Sequence, residues 1–145
     1  MRELMQHGRR VGAPGGLEGV SAGLVEQAGF PAVYATGGGI ARSNGIPDLG
    51  LMSLDEIVKR LESMVEVVDI PLIGDADTGH GNALNAQKTA RAFERVGVAG
   101  FHLEDQVFPK KCGHYEDKSI VPQKEMTQKL RAVKDAFHDP DTVLI

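Results

Sequence analysis

Ile70-Pro71-Leu72-Ile73-Gly74-Asp75-Ala76-Asp77-Thr78-Gly79-His80-Gly81-Asn82 sets a short apolar run directly before two carboxylates spaced i, i+2 and a glycine-rich turn. Residues two apart in a strand share one face, so a strand through this stretch would present Asp75 and Asp77 together as hard oxygen ligands for a divalent cation. The glycines suit a turn where backbone comes close to a ligand. Taken alone, Asp-x-Asp followed by glycine reads as a polar turn with no ligand; the rest of the chain reverses that reading.

Working outward, the apolar run at 70–74 is one of a series of short strands separated by helical patterns. Before it, Ser53-x-x-Glu56 is a capping box opening a helix whose stripe is Leu54, Ile57, Val58, Leu61, Val65 and Val68. Earlier still, residues 9–15 form a weak strand candidate, followed by a helix carrying Val20, Leu24, Val25 and Ala28 up to a C-cap at Gly29. Pro31 to Ala35 is a strand broken by Thr36-Gly37-Gly38-Gly39, residues able to bring backbone N–H groups to an anion. After the aspartates, a helix carries Ala86, Ala90 and Phe93 to a stop at Gly97, and residues 98–103 form a strand ending in Glu104-Asp105. An irregular loop over 106–115 leads to Pro122, which opens a helix with Met126, Leu130, Val133 and Phe137 on one face, and residues 142–145 begin a fifth strand.

Strands alternating with amphipathic helices imply βαβ units and a parallel sheet, either doubly wound or closed as a (β/α)₈ barrel. Thr36-Gly37-Gly38, Asp75/Asp77 and Glu104 fall at the C-terminal ends of three consecutive strands, where they converge on one rim, as the active groups of a barrel do. A full barrel takes about 250 residues and eight strands. The expected architecture is therefore α/β, a partial TIM barrel of about four βα units plus a fifth strand, with residues 1–145 as the N-terminal portion of one catalytic domain.

Composition is consistent with that architecture. A net charge of −4 gives no basic field for nucleic acid, and no apolar run approaches the length of a membrane span. The start, Met1-Arg2-Glu3-Leu4 into His7-Gly8-Arg9-Arg10, is not a signal-peptide core, so the expected compartment is the cytosol and the expected partner a small molecule. The single cysteine, Cys112, has no partner for an internal disulfide and is either a buried apolar residue or a reactive thiol. Its neighbours Lys110, Lys111 and His114 would favour a thiolate, although basic loops are also common solvated surface. Glu104 reads as a ligand, a base beside the ligands or an ion-pair partner. His102 reads as a core histidine, one bonded to a ligand or a catalytic one, and His80 as an exposed loop residue. The remaining histidines have no spacing that makes a zinc site with one cysteine.

Several segments together resemble, in order and spacing, the isocitrate lyase and phosphoenolpyruvate mutase superfamily: residues 34–39 (YATGGG), 47–50 (PDLG), 75–82 (DADTGHGN), 102–106 (HLEDQ) and 110–114 (KKCGH). The last is similar to the branch containing 2-methylisocitrate lyase, dimethylmalate lyase and carboxyphosphonoenolpyruvate mutase. The resemblance implies a Mg²⁺-dependent barrel, with Mn²⁺ as the alternative ion, acting on hydroxy or keto carboxylates through an enolate. It implies Asp75 as the direct metal ligand, with Asp48, Asp77 and Glu104 holding the metal and its waters, and Glu104 also catalytic. It implies Thr36, Gly37 and Gly38 at the substrate's α-carboxylate, threonine standing where the family more often has serine. It further implies Cys112 as the general acid on a mobile loop, with Gly113 touching substrate.

The activity implied is cleavage of a 2-methylisocitrate-like 2-hydroxy carboxylate, the alternatives being a phosphonomutase or an oxaloacetate-type hydrolase or decarboxylase. The complete form would be a homotetramer. An arginine-bearing segment and later pocket residues of the family pattern would follow Ile145, so the sequence reads as a fragment or a truncated product. A non-catalytic half-barrel with adhesive strand edges is the reading from a different class.

Overall fold

The computed structural model describes residues 1, 4–5 and 10–145. Arg2, Glu3 and His7 to Arg9, on which the reading of the basic start rests, lie outside the described residues.

Five parallel strands, β1 (Gly15–Gly16), β2 (Val33–Ala35), β3 (Leu72–Asp75), β4 (Gly100–His102) and β5 (Val143–Leu144), pair in chain order. Between them run α1 (Gly19–Gln27), α2 (Gly37–Ser43), α3 (Leu54–Val65), α4 (Ala83–Arg95) and α5 (Gln123–Ala136). A strand order that climbs without turning back belongs to a barrel wall; a doubly wound sheet reverses at its switch point. Because every strand is parallel, all five C-terminal ends share one edge, which brings the candidate residues to one rim. Among the described residues no helix is long and apolar enough to cross a membrane.

The helix starts follow local chemistry. Ser53 Oγ accepts from the Glu56 N–H, and the Glu56 carboxylate accepts from the Ser53 N–H, so the expected capping box opens α3. Asn82 and Asn85 make the same reciprocal exchange at α4, and Glu18 and Ser21 at α1. Pro122 precedes the first turn of α5 without a side-chain cap.

The core lies between sheet and helices and is centred on Phe93, whose ring meets Phe101 edge-on at 5.5 Å; Phe101 in turn meets Phe137 at 5.8 Å. A side chain at Gly74 would come within 2.9 Å of the Phe93 ring, so the glycine before Asp75 makes room for the largest buried side chain of α4.

Several expectations are corrected. The first strand is Gly15–Gly16, at the end of the expected 9–15 segment, because the pairing groups are the carbonyls of Pro14 and Gly16, which accept from the Tyr34 and Thr36 N–H groups. On α1 the buried residue is Ala22, while Val20 and Leu24 face out. Thr36-Gly37-Gly38-Gly39 does end the strand, and it leads into a helix the sequence did not suggest: Thr36 caps α2, which starts at Gly37. Val68 lies beyond the end of α3, whose buried stripe is Ile57, Leu61 and Met64. On α5, Lys129 shares the buried face with Val133 and Ala136, and the helix closes at Ala136, so that Phe137 is its C-cap and not part of the helical face.

Phe93→Ala is expected to cost about 3–5 kcal/mol of stability, because it opens a cavity between α4 and the sheet. Leu84→Ala, on the exposed side of the same helix, should stay within about 0.5 kcal/mol of the parent in urea denaturation.

Candidate active site

The acidic cluster is built from the ends of β3 and β4. Asp75, Asp77 and Glu104 each offer a carboxylate oxygen, and these oxygens lie within 4.8 Å of one another. The pairing of Asp75 with Asp77 arises differently from the sequence expectation. Asp77 is past the strand with φ at 48°, and its N–H donates to Asp75 Oδ1 at 3.0 Å, so a tight turn, not a shared strand face, brings the two together. The turn is fastened twice more. The Glu104 N–H donates to the Asp77 carbonyl at 2.7 Å, and the buried Lys129 amine donates to the Thr78 carbonyl at 3.0 Å.

Asp75 also accepts from the Gly37 N–H through Oδ2 at 3.2 Å. A side chain at Gly37 would come within 2.8 Å of that oxygen, and one at Gly38 within 2.7 Å of Asp48 Oδ2. Both glycines are thus required where the first turn of α2 approaches the carboxylates. Thr36 Oγ1 accepts from the Gly39 N–H at 3.2 Å as the helix cap.

Asp48 is buried, and Lys110 joins it to the cluster: the Lys110 ammonium lies 2.5 Å from Asp48 Oδ1 and 2.7 Å from Asp77 Oδ1. Burial alone would lower the lysine's pKa, but Asp77 and Asp48 outweigh it and hold the ammonium form well above its usual range. Asp77 goes the other way. Burial first, and the neighbouring Asp75 charge second, push its carboxyl up to about 6 in spite of Lys110. Burial also raises Glu104, with Asp75 and Asp48 adding to it. Three carboxylates held this close, with Asp77 and Glu104 in surroundings that resist ionisation, are a poor arrangement for a bare protein and a good one for a divalent cation, whose charge would relieve the repulsion. The donor set, all hard oxygen, fits Mg²⁺ or Mn²⁺.

The loop after β4 carries the cysteine. Cys112 is 8% exposed and its N–H donates to the Asp48 carbonyl at 3.0 Å. The lysines do not supply the expected cationic setting for the thiol. Lys110 is engaged with the aspartates, and Lys111 Nζ donates to the carbonyls of Glu116 and Asp117. The ring of His114 is the neighbour, its Nδ1 at 3.6 Å from Sγ. Gly113 lies beside Glu104 on a pocket of about 440 Å³.

Sequence reading missed three residues that hold this geometry: Lys110 as the bridge between aspartates, Gln106 as a partner of Glu104, and Lys129 under the Asp77 turn. The one available signal for Lys129 is its spacing, three residues after Met126 and four before Val133, which puts a lysine on the helix's apolar face. His80 is corrected from exposed to half-buried; burial lowers its pKa, and its Nε2, like the buried Thr78 Oγ1, is unpartnered among the described residues. His102 Nδ1 lies 3.3 Å from the Tyr34 hydroxyl, whose pKa is raised by burial and by Asp75.

The Asp77 shift has a definite sign. A carboxyl whose folded pKa is about 6, against 3.8 unfolded, contributes stability that is fully present below pH 3.8 and lost as pH rises through about 6. In EDTA, the parent chain should therefore lose about 2 kcal/mol relative to Asp77→Asn between pH 4 and pH 7.5. Paired thermal melts across that range check it; parallel stability curves would contradict the assignment.

With the geometry in place, comparison with known proteins is informative. A family model described as phosphoenolpyruvate phosphomutase matches residues 1–145. The 2,3-dimethylmalate lyase of Eubacterium barkeri is 44% identical over 146 residues, covering 100% of this chain and 50% of that protein. The 2-methylisocitrate lyase of Bacillus subtilis (strain 168) is 44% identical over 135 residues, covering 93% of this chain and 45% of that protein. A phosphonopyruvate hydrolase solved with oxalate and Mg²⁺ superposes with a TM-score of 0.91 at 31% identity, over 99% of this chain and 49% of that one. The chain thus spans about half the length of the curated relatives it matches. Its five parallel strands in barrel order, its strand-end carboxylates and its similarity along the whole length agree: the chain belongs to the phosphoenolpyruvate phosphomutase family.

Proposed function

We propose that residues 1–145 form the N-terminal portion of a single (β/α)₈ catalytic domain, and that the protein is a Mg²⁺-dependent carbon–carbon lyase acting on a 2-methylisocitrate-like 2-hydroxy carboxylate. The observation that carries this reading is the cluster of Asp75, Asp77 and Glu104, with the Cys112 loop bound to the same site through Lys110. The named lyase relatives support the choice of reaction, and the Mg²⁺ in the phosphonopyruvate hydrolase structure supports the choice of ion.

Asp75, Asp77 and Glu104 would hold the ion, with Asp48 oriented behind them by Lys110. When bound, Mg²⁺ supplies Lewis-acid stabilisation of negative charge on the substrate's oxygens. Thr36, Gly37 and Gly38 form the segment for the substrate's α-carboxylate. Cleaving the C2–C3 bond requires loss of the hydroxyl proton, for which Glu104 is the base in this reading; the bonding electrons pass to the other fragment as an enolate. The Cys112 thiol delivers a proton to that carbanion, leaving a thiolate that the neighbouring His114 ring can reprotonate. Loop closure over the rim excludes water from the enolate. The family match keeps phosphonomutase and oxaloacetate-type chemistry as the competing outcome. The complete protein is proposed to be a homotetramer.

Titration calorimetry should show Asp75→Ala weakening Mg²⁺ binding about tenfold or more, with Asp139→Ala, in an exposed turn, unchanged. Equal affinities would remove the metal assignment. In a lyase assay on the complete protein, 2-methylisocitrate should release a 2-oxo acid, and Cys112→Ser should lower kcat about 100-fold with metal affinity intact. Turnover of phosphonopyruvate or oxaloacetate in its place would sink the lyase reading.

A further inference from the structure

The loop over 107–119 is closed at its base by backbone pairing. Gln106 and Ile120 form an antiparallel bridge, the Val107 N–H donates to the Ser119 carbonyl at 2.8 Å, and the Val121 N–H donates to the Asp105 carbonyl at 2.8 Å. That base would hold the loop's two ends together whatever its tip does. The Gln106 side chain, 8% exposed, does something separate. Its Nε2 donates both to Glu104 Oε2 at 2.6 Å and to the Lys111 carbonyl at 2.9 Å, while its Oε1 accepts from the Lys111 N–H at 3.0 Å. One amide therefore ties the peptide unit beside Cys112 to a carboxylate of the acidic cluster.

We propose that Gln106 is a positioning residue that latches the Cys112 loop to Glu104, so that loop closure and divalent-cation binding reinforce each other. The choice of residue supports this. An amide orients the carboxylate without neutralising it, whereas a lysine there would compete with a cation for the same oxygens. Opening the loop takes both Lys111 bonds from the amide and frees its rotamer, and with it the oxygen of Glu104 that it fixes. Leaving the buried Gln106 amide without those partners is costly, so the loop and the carboxylate are held in the same state. Coupling between two equilibria is reciprocal: whatever factor the closed loop adds to cation affinity, the cation adds to loop closure.

The inference rests on the reading of Glu104 as a cation-holding carboxylate, and the experiment separates the two. Cys112 reports opening, because a thiol this buried is alkylated from the open loop. In the wild-type full chain, saturating Mg²⁺ should slow Cys112 alkylation about fivefold or more and slow hydrogen exchange at the Lys111 amide. Gln106→Met keeps the length and removes all three bonds. It should make metal-free alkylation about tenfold faster, cut the Mg²⁺ protection to under about twofold, and weaken Mg²⁺ affinity by a matching factor. Equal protection factors in wild type and variant overturn the latch. If the variant does not fold, the wild type still decides: Mg²⁺ binding by calorimetry without slower exchange at Lys111 overturns it as well. A wild-type chain that binds no Mg²⁺ overturns the reading of the acidic cluster itself, a distinct result. Gln106→Glu, which keeps the acceptor for the Lys111 N–H but sets a second carboxylate against Glu104, should lose protection as the methionine variant does.

Discussion

The site depends on one buried cation. Lys110 sits between Asp48 and Asp77, at 2.5 and 2.7 Å, and it joins three parts of the chain: the loop after α2, the turn after β3 and the loop after β4. Without a positive charge among them, the carboxylates of Asp48, Asp75, Asp77 and Glu104 would repel one another at close range. One lysine is too little charge for four carboxylates. Burial first, and the neighbouring carboxylates after it, raise the carboxyls of Asp77 and Glu104, and that is the physical reason the cluster suits a divalent cation.

Around that charge balance the backbone is arranged to bring carboxylates and amides close together. Gly37 and Gly38 are at the start of α2 because any side chain there would displace Asp75 or Asp48. Gly74 does the same for the core, giving its Cβ space to Phe93 on the residue before Asp75. Lys129 reaches from α5 to the Thr78 carbonyl and so couples the packing of the last helix to the Asp77 turn. Core and site are consequently not separable: the same few positions set both.

The cysteine loop is held from more than one side. Lys110 draws it toward the aspartates, the Cys112 N–H bonds the Asp48 carbonyl, and Gln106 bonds Lys111. These contacts give a loop of mostly polar residues a defined seat on the rim, and they place His114, not a lysine, beside the thiol.

What the sequence by itself determined was the layout: alternating strands and helices, the capping box at Ser53 and Glu56, and the fall of Thr36, Asp75, Asp77 and Glu104 at strand ends. These are legible because period, caps and turn residues act over a few neighbours. Family membership was legible in the residues of the same strand ends. What only the tertiary structure decided was each contact between distant segments. Asp77 faces Asp75 through a left-handed turn, not a strand. Thr36 caps a short helix that begins at Gly37. Lys110 bonds aspartates, Asp48 lying 62 residues away, and is not paired with the thiol two positions on. A charged side chain's partner is set by which segments the fold packs together and by the cost of leaving a buried charge unpaired, and neither is a function of local spacing.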